Sequence, residues 1–300
     1  MAGLGQSEDE LSHTRDSSHE CHANIFHLLR GRRMEVLGLT IVGVFVLVSI
    51  LAPLIAPFDP REGDLKRRLE GPTRLHVLGT DELGRDILSR LMFGARITLV
   101  IGVLAVLVAA VLGVTIGAIA AYFGGRTDLM LMRLVDIMMT IPEIILAIAM
   151  VSVLGTTVAC LVVAVGVAAT PAFARLCRGT MLVIRQQDYV SAAHAAGASS
   201  SRIIIRHMLP NALAPIIVQA SLGIGSSILT AASLGFLGLG IQPPTPEWGS
   251  MLSRARSYLS YAPHVIIFPG IAIAVLVLGF NLLGDGLRDA LDPTLRRSAG

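Results

Sequence analysis

Six long apolar runs, separated by polar stretches of unequal length, dominate the chain at 36–56, 97–123, about 129–154, 156–174, 212–241 and 262–283. The first is 21 residues without a charge. At about 1.5 Å of rise per residue, a helix of that length crosses the roughly 30 Å hydrocarbon core of a bilayer. It reads as a retained anchor rather than a removed leader, being too long and too far from Met1. None of the runs alternates apolar and polar positions as a barrel strand does, and backbone groups in lipid must be paired internally. The pattern therefore predicts an all-α, polytopic membrane bundle of six transmembrane helices. Arg133, Asp136 and Glu143 interrupt the third run.

The polar stretches divide the rest: an N-terminal tail at 1–35, the first span at 36–56, a long loop at 57–96, a five-helix core at 97–285 and a C-terminal tail at 286–300. In the long loop, Thr80 is placed to cap a helix whose first turn carries Asp81 and Glu82. Ile87, Leu88, Leu91 and Met92 then share one face opposite Arg85, Ser89 and Arg90, which predicts an amphipathic helix lying on the membrane or on the bundle. Small residues recur at Gly102, Gly113, Gly117 and Ala121, and again at Gly223, Gly225, Gly235, Gly238 and Gly240. Such positions let helix backbones approach closely in lipid. Pro243, Pro244 and Pro246 end the fifth run, and Trp248 suits the headgroup level.

The interruption at 185–211 reads RQQDYVSAAHAAGASSSRIIIRHMLPN. Helix formers fill 188–196, Gly197 supplies a left-handed turn, and Ser199–Ser201 cap a second helix, giving helix, tight turn, helix. Arg202 and Arg206 lie one turn apart, with Ile203, Ile204 and Ile205 as an apolar flank. Pro210 is expected to close the segment before the next span. On spacing alone this is either a surface that a soluble partner grips or a linker resting on lipid headgroups.

Composition sharpens the class: 53% of residues are hydrophobic and 15% charged, and mean hydropathy is +0.71. Soluble domains carry about 25% charged residues. The formal charge of +3 comes with no basic run interleaved with aromatics, so nothing points to nucleic acid. With the N-terminus inside, short inner segments hold fourteen arginines and short outer ones only Arg254 and Arg256, while the long loop carries eight basic residues beside seven acids. The short segments place both termini in the cytoplasm and the long loop outside. Cys21, Cys160 and Cys177 imply no disulfide framework. His19, Cys21, His22 and His27 match no zinc spacing.

Lys66 is the single lysine, and no GxxxxGK[ST] occurs, so the chain has no P-loop for ATP phosphates. Neither GxSxG nor HExxH is present, which leaves no visible catalytic or metal-binding constellation. Glu143, after Pro142, is the one ionisable residue deep in a run. A carboxylate there is a translocation-path candidate by default, and Asp136 lies seven residues earlier on roughly the same face. Pairing with Arg133 or a neighbouring helix is the other reading of both.

The order SAAHAAG, nine residues, then HMLP resembles the EAA loop of binding-protein-dependent ABC importer permeases, E-A-A-x3-G-x9-I-x-L-P. Ala192, Ala193, Gly197, Leu209 and Pro210 match, while Ser191 stands for the glutamate and His207 for the isoleucine. LGTDELGRDILSRLMFGARITL, FLGLGIQPPTPEWGSML and FNLLGDGLRDALDPTLR resemble the C-type permeases of dipeptide, oligopeptide, glutathione and nickel importers. The resemblance implies a type I ABC importer permease fold in the cell membrane, pairing with a second, B-type permease. It further implies two ABC ATPases holding ATP and Mg²⁺, and an extracytoplasmic binding protein. By the same resemblance Ser191, Ala192, Ala193, His194, Gly197, Ala198, Arg202, Arg206, His207, Leu209 and Pro210 form the ATPase-coupling loop. The chain itself would then bind no cofactor and catalyse nothing.

Overall fold

A computed structural model describes residues 34–291, so the N-terminal histidines, Cys21 and the end of the C-terminal tail lie outside the described residues. Among those described, the regular elements are helices: α1 (Met34–Ile55), α2 (Ile87–Phe123), α3 (Gly125–Thr140), α4 (Glu143–Leu154), α5 (Val158–Arg185), α6 (Asp188–Ala195), α7 (Ser200–Arg202), α8 (Leu209–Phe236), α9 (Trp248–Ala255) and α10 (His264–Leu291). Among the described residues five helices are long and apolar enough to cross a membrane, and the bent pair α3–α4 makes a sixth when its halves count as one span. The described ends of α1 and α10 lie together, with Glu35 against Gly286, at the same end of the bundle as α6–α7. The 57–86 segment and α9 cap the opposite end.

Three boundaries differ from the sequence reading, each for a physical reason. The amphipathic stretch after Arg85 is no separate element but the first turns of α2, which begins at Ile87 rather than at 97. Asp86, not Thr80, is its cap: Asp86 Oδ2 accepts from the Ser89 amide at 2.8 Å. The third span is broken at Ile141–Pro142 and its halves meet at 93°, because proline cannot donate to the preceding turn and its ring clashes with it. Pro210, expected to close the polar segment, instead sits inside a continuous run, since Ile203–Met208 forms a π turn that leads directly into α8. A π turn carries i→i+5 bonds and is wider than an α turn, which gives the proline ring and its missing N–H a place in the helix.

Glycine sets the helix spacing. A Cβ on Gly113 would lie 2.5 Å from Phe173 Cβ, one on Gly117 2.9 Å from the Arg178 amide, and one on Gly166 2.7 Å from the Ala105 carbonyl. Thus α2 and α5 touch backbone to backbone, the arrangement that van der Waals packing favours when lipid removes any hydrophobic drive between helices. The same device fixes α1 on α10, where Gly38 faces Leu283 and Gly279 faces Ile41. Buried apolar side chains gather in four clusters: around Trp248, Ile228 and Phe280 beneath the cap, around Leu161, Val165 and Leu234 where α4, α5 and α8 meet, around Val106 and Phe173 between α2 and α5, and around Met181, Ile203 and Met208 beneath α6.

Candidate functional site

The segment resembling the coupling loop forms a closed helix-turn-helix. Helix α6 ends in a Schellman motif, in which the Gly197 amide donates to His194 O at 3.0 Å and the Ala198 amide donates to Ala193 O at 3.1 Å. Gly197 has φ +77°, the left-handed conformation that glycine adopts without Cβ strain. Ala193 and Ala198, the hydrophobic pair that accompanies such a motif, pack on the cluster below. Ser191, Ala192, His194, Gly197, Arg202 and Arg206 remain exposed, whereas His207 and Leu209 are half-buried and Pro210 is exposed. Arg202 and Arg206 make no ion pair among the described residues.

Five residues outside the matched motif positions brace this unit. Val190, Ile203 and Met208 are buried against Met181 and Tyr122. Tyr122 stacks on His194 with ring centroids 5.8 Å apart, and its hydroxyl lies 3.1 Å from Nε2. Arg185 Nη1 donates to the Ala121 carbonyl at 3.0 Å. Tyr122 and His194 are 72 residues apart, and no local pattern in the chain links them.

The two carboxylates of the third span have separate surroundings. Asp136 accepts from Arg175 Nη2 at 2.7 Å, each side chain being about half exposed, so its partner is α5 rather than Arg133. One turn or more closer to the α6 end, Arg178 grips Asp128 through two bonds of 2.5 and 2.6 Å, the fork geometry that guanidinium offers a carboxylate. Glu143 begins α4 just past the bend, where the helix dipole favours a negative charge, and accepts from Thr230 Oγ1 at 3.4 Å. An apolar groove of about 530 Å³ opens beside it, lined among others by Ile144, Leu229, Ser233, Leu237 and Val277.

At the opposite end the structure reveals a buried polar frame where the sequence predicts the first turn and polar face of an amphipathic helix. Asp81 accepts from Arg85 Nε at 2.7 Å and lies 3.3 Å from Arg90 Nε; Glu82 binds Arg85 at 3.1 Å and Arg254 at 3.3 Å. Arg90 Nη1 donates to Pro60 O at 2.9 Å, and His76 Nδ1 lies 3.0 Å from Asp86. Glu247 caps α9, accepting from the amides of Gly249 at 2.6 Å and Ser250 at 2.7 Å. Burial pushes its carboxyl above the usual carboxylate range, and the two amides oppose that shift. Gly235 and Gly240 make room for this carboxylate, since a Cβ at either would approach Oε2 at 2.6 and 3.1 Å. Trp248 is buried, its indole N–H donating to Leu91 O at 3.1 Å. Among the described residues, no three His, Cys, Asp or Glu side chains are grouped to hold a metal ion.

Glycine-packed membrane spans that hold a braced helix-turn-helix out of one end and a pinned cap at the other are the build of a transport permease. Residues 113–297 match the family described as binding-protein-dependent transport system inner membrane component, and residues 23–72 match the N-terminal TM domain of oligopeptide transport permease C. The chain belongs to the first of these families, and is a multi-pass membrane permease. It is 46% identical over 271 residues to the dipeptide transport system permease protein DppC of Alkalihalophilus pseudofirmus, covering 90% of this chain and 89% of that one. It is 50% identical over 259 residues to the glutathione transport system permease protein GsiD of Pectobacterium atrosepticum, covering 85% and 86%. Among solved structures, the inward-facing MetNI methionine ABC transporter contains a chain with a TM-score of 0.56 at 21% identity, covering 68% of this chain and 96% of that one, a likeness of fold.

Proposed function

We propose that this chain forms half of a heterodimeric pore that imports di- or oligopeptides, with a second, B-type permease as the other half. Two ABC ATPases bind ATP and Mg²⁺ and hold α6–α7; a binding protein outside the membrane delivers the peptide. Both termini and α6–α7 then face the cytoplasm, and 57–86 with α9 faces out. The observation that carries this reading is the brace under α6: a partner that closes on ATP moves a pore only through a surface that does not yield. Val190, Ile203, Met208, Tyr122 and Arg185 tie the exposed Ser191–Arg202 surface to α2, α5 and α8 at once. The gripped surface comprises Ser191, Ala192, His194, Gly197, Arg202 and Arg206, with Ala193, Ala198, His207, Leu209 and Pro210 shaping its base.

Glu143, at the bend and beside an open groove, meets the amino end of a passing peptide, and Asp136, engaged by Arg175, lies on the inner part of the same route. Glutathione, itself a tripeptide, is the second cargo reading, favoured by the relative that bears its name. The test is uptake into proteoliposomes holding the complete complex, with labelled dipeptide or glutathione loaded on the binding protein. ATP-dependent uptake of peptide is expected. Uptake by this chain alone, driven by an ion gradient without ATP or binding protein, would overturn the proposal in favour of a self-sufficient carrier.

A further inference from the structure

The 57–86 segment engages three of its seven acids internally and exposes five of its six arginine and lysine side chains. Asp81, Glu82 and Asp86 are engaged within the frame by Arg85, Arg90, Arg254 and His76. What remains exposed is Arg61, Lys66, Arg67, Arg68 and Arg74 against Asp59, Glu62 and Asp64. Four of these cations, Lys66, Arg67, Arg68 and Arg74, line one concavity of about 690 Å³ with Glu70, Thr73 and Leu75. Among the described residues Arg67 alone of these forms an ion pair, with Asp64 at 3.9 Å in an exposed pair of the kind that contributes little, and Glu70 is the one carboxylate in the lining.

The concavity is preformed. The Thr80 hydroxyl donates to the Arg67 carbonyl and accepts from the Glu70 amide at 3.0 Å. The Leu69 amide donates to Asp81 O at 3.0 Å, the Thr80 amide to Glu70 O at 2.9 Å, and the Thr73 amide to His76 O at 2.8 Å. The basic rim is thus bolted to the buried frame and, through Arg254, to α9. Leu65, Leu75 and Val77 are exposed around it, so arginines and apolar side chains adjoin, the composition of a protein interface. By the transport reading above this end faces out, away from the anionic cytoplasmic leaflet that basic segments meet.

We infer that this concavity is the docking surface for an acidic face of the extracytoplasmic binding protein, which rests on the transport reading above. A rigid cationic dish steers an acidic partner onto the outer end in a fixed orientation, raising its encounter rate and making that encounter sensitive to salt. The experiment uses the complete complex in phosphatidylcholine nanodiscs and measures ATPase stimulation against binding-protein concentration at low and high salt. The triple variant K66E/R68E/R74E is expected to assemble normally and to raise the half-saturating concentration by about tenfold at low salt, with a shallower salt dependence. R61E, on the same segment outside the concavity, is expected to stay within about twofold of wild type. Equal half-saturation and equal salt slopes for wild type and triple variant would overturn the docking inference while leaving the transport reading intact. Loss of binding to anionic vesicles in place of any change in stimulation would assign the surface to lipid and also overturn it. A wild-type complex that no binding protein stimulates would refute the transport reading itself.

Discussion

Replacing Gly197 separates backbone strain from steric contact, because a Cβ built there meets nothing within 4 Å and the residue still holds φ +77°. Alanine therefore costs only the left-handed conformation, about 1 kcal/mol. Asparagine, which tolerates that region, costs less, and β-branched valine costs more, about 2 kcal/mol. The strain falls on the Schellman closure, so the bonds from Gly197 to His194 and from Ala198 to Ala193 loosen while the buried Val190, Ile203 and Met208 keep the segment attached. A local loss of 1 kcal/mol corresponds to about fivefold faster opening, read as amide exchange at 195–199. In the reconstituted complex, peptide transported per ATP hydrolysed is expected to fall in the order Gly, Asn, Ala, Val, with ATP hydrolysis itself less affected. Gly179 is the control: it is exposed within α5, has open space around it and lies at no positive φ, so Gly179→Ala is expected to stabilise by about 0.5–1 kcal/mol through helix propensity alone. Identical exchange and identical transport for Gly197→Asn and Gly197→Val would refute the reasoning, since it rests wholly on the backbone.

Three further outcomes are expected at the two ends of the bundle. Asp81→Asn leaves the buried Arg85 and Arg90 without their shared carboxylate, and a loss of about 3–5 kcal/mol is expected, seen as a lower melting midpoint in detergent. Glu247 has a carboxyl raised by burial above its ordinary value of 4.5. Its contribution to stability is therefore full below that value and lost as pH rises through the folded-state value, so Glu247→Gln is expected to flatten the fall in midpoint as pH rises above 4.5; an unchanged slope would count against the assignment. Tyr122→Phe removes the hydroxyl contact to His194 and is expected to cost about 1 kcal/mol, detected as faster amide exchange in α6 with the rest of the bundle unchanged.

The spans were legible because lipid imposes one simple rule, a sustained apolar run, and the helix-turn-helix was legible because a glycine between two helix-forming stretches has few other uses. Contacts across the chain were not. Arg254 and Glu82 are 172 residues apart, and nothing near either tells that the two meet. The seven acids of the long loop nearly cancel its bases in the sequence, whereas folding sorts both: Asp81, Glu82 and Asp86 go inside with Arg85 and Arg90, and Lys66, Arg67, Arg68 and Arg74 stay out. Pro210 read as a stop because proline breaks α-helices, and the π turn that accommodates it is formed by Ile203–Met208, whose apolar residues carry no signal for the wider winding. Glu143 and Asp136 read as a pair on one face, yet the 93° bend between them sends one toward Thr230 and leaves the other with Arg175.

The π turn has an evolutionary consequence. A turn wound by five residues instead of four carries one surplus residue, and deleting any one of 203–208 restores α winding without breaking the helix. The widened turn holds its surplus residue while the helix on either side keeps its phase around the α8 axis, whereas the same deletion in plain α winding, at 3.6 residues per turn, would swing everything before it by about 100°. The orientation of the Ser191–Arg202 surface relative to the membrane spans thus tolerates the loss of one codon at this turn. The π turn is a reserve of length: the chain can shed a residue there without turning that surface, which a uniform α-helix could not do.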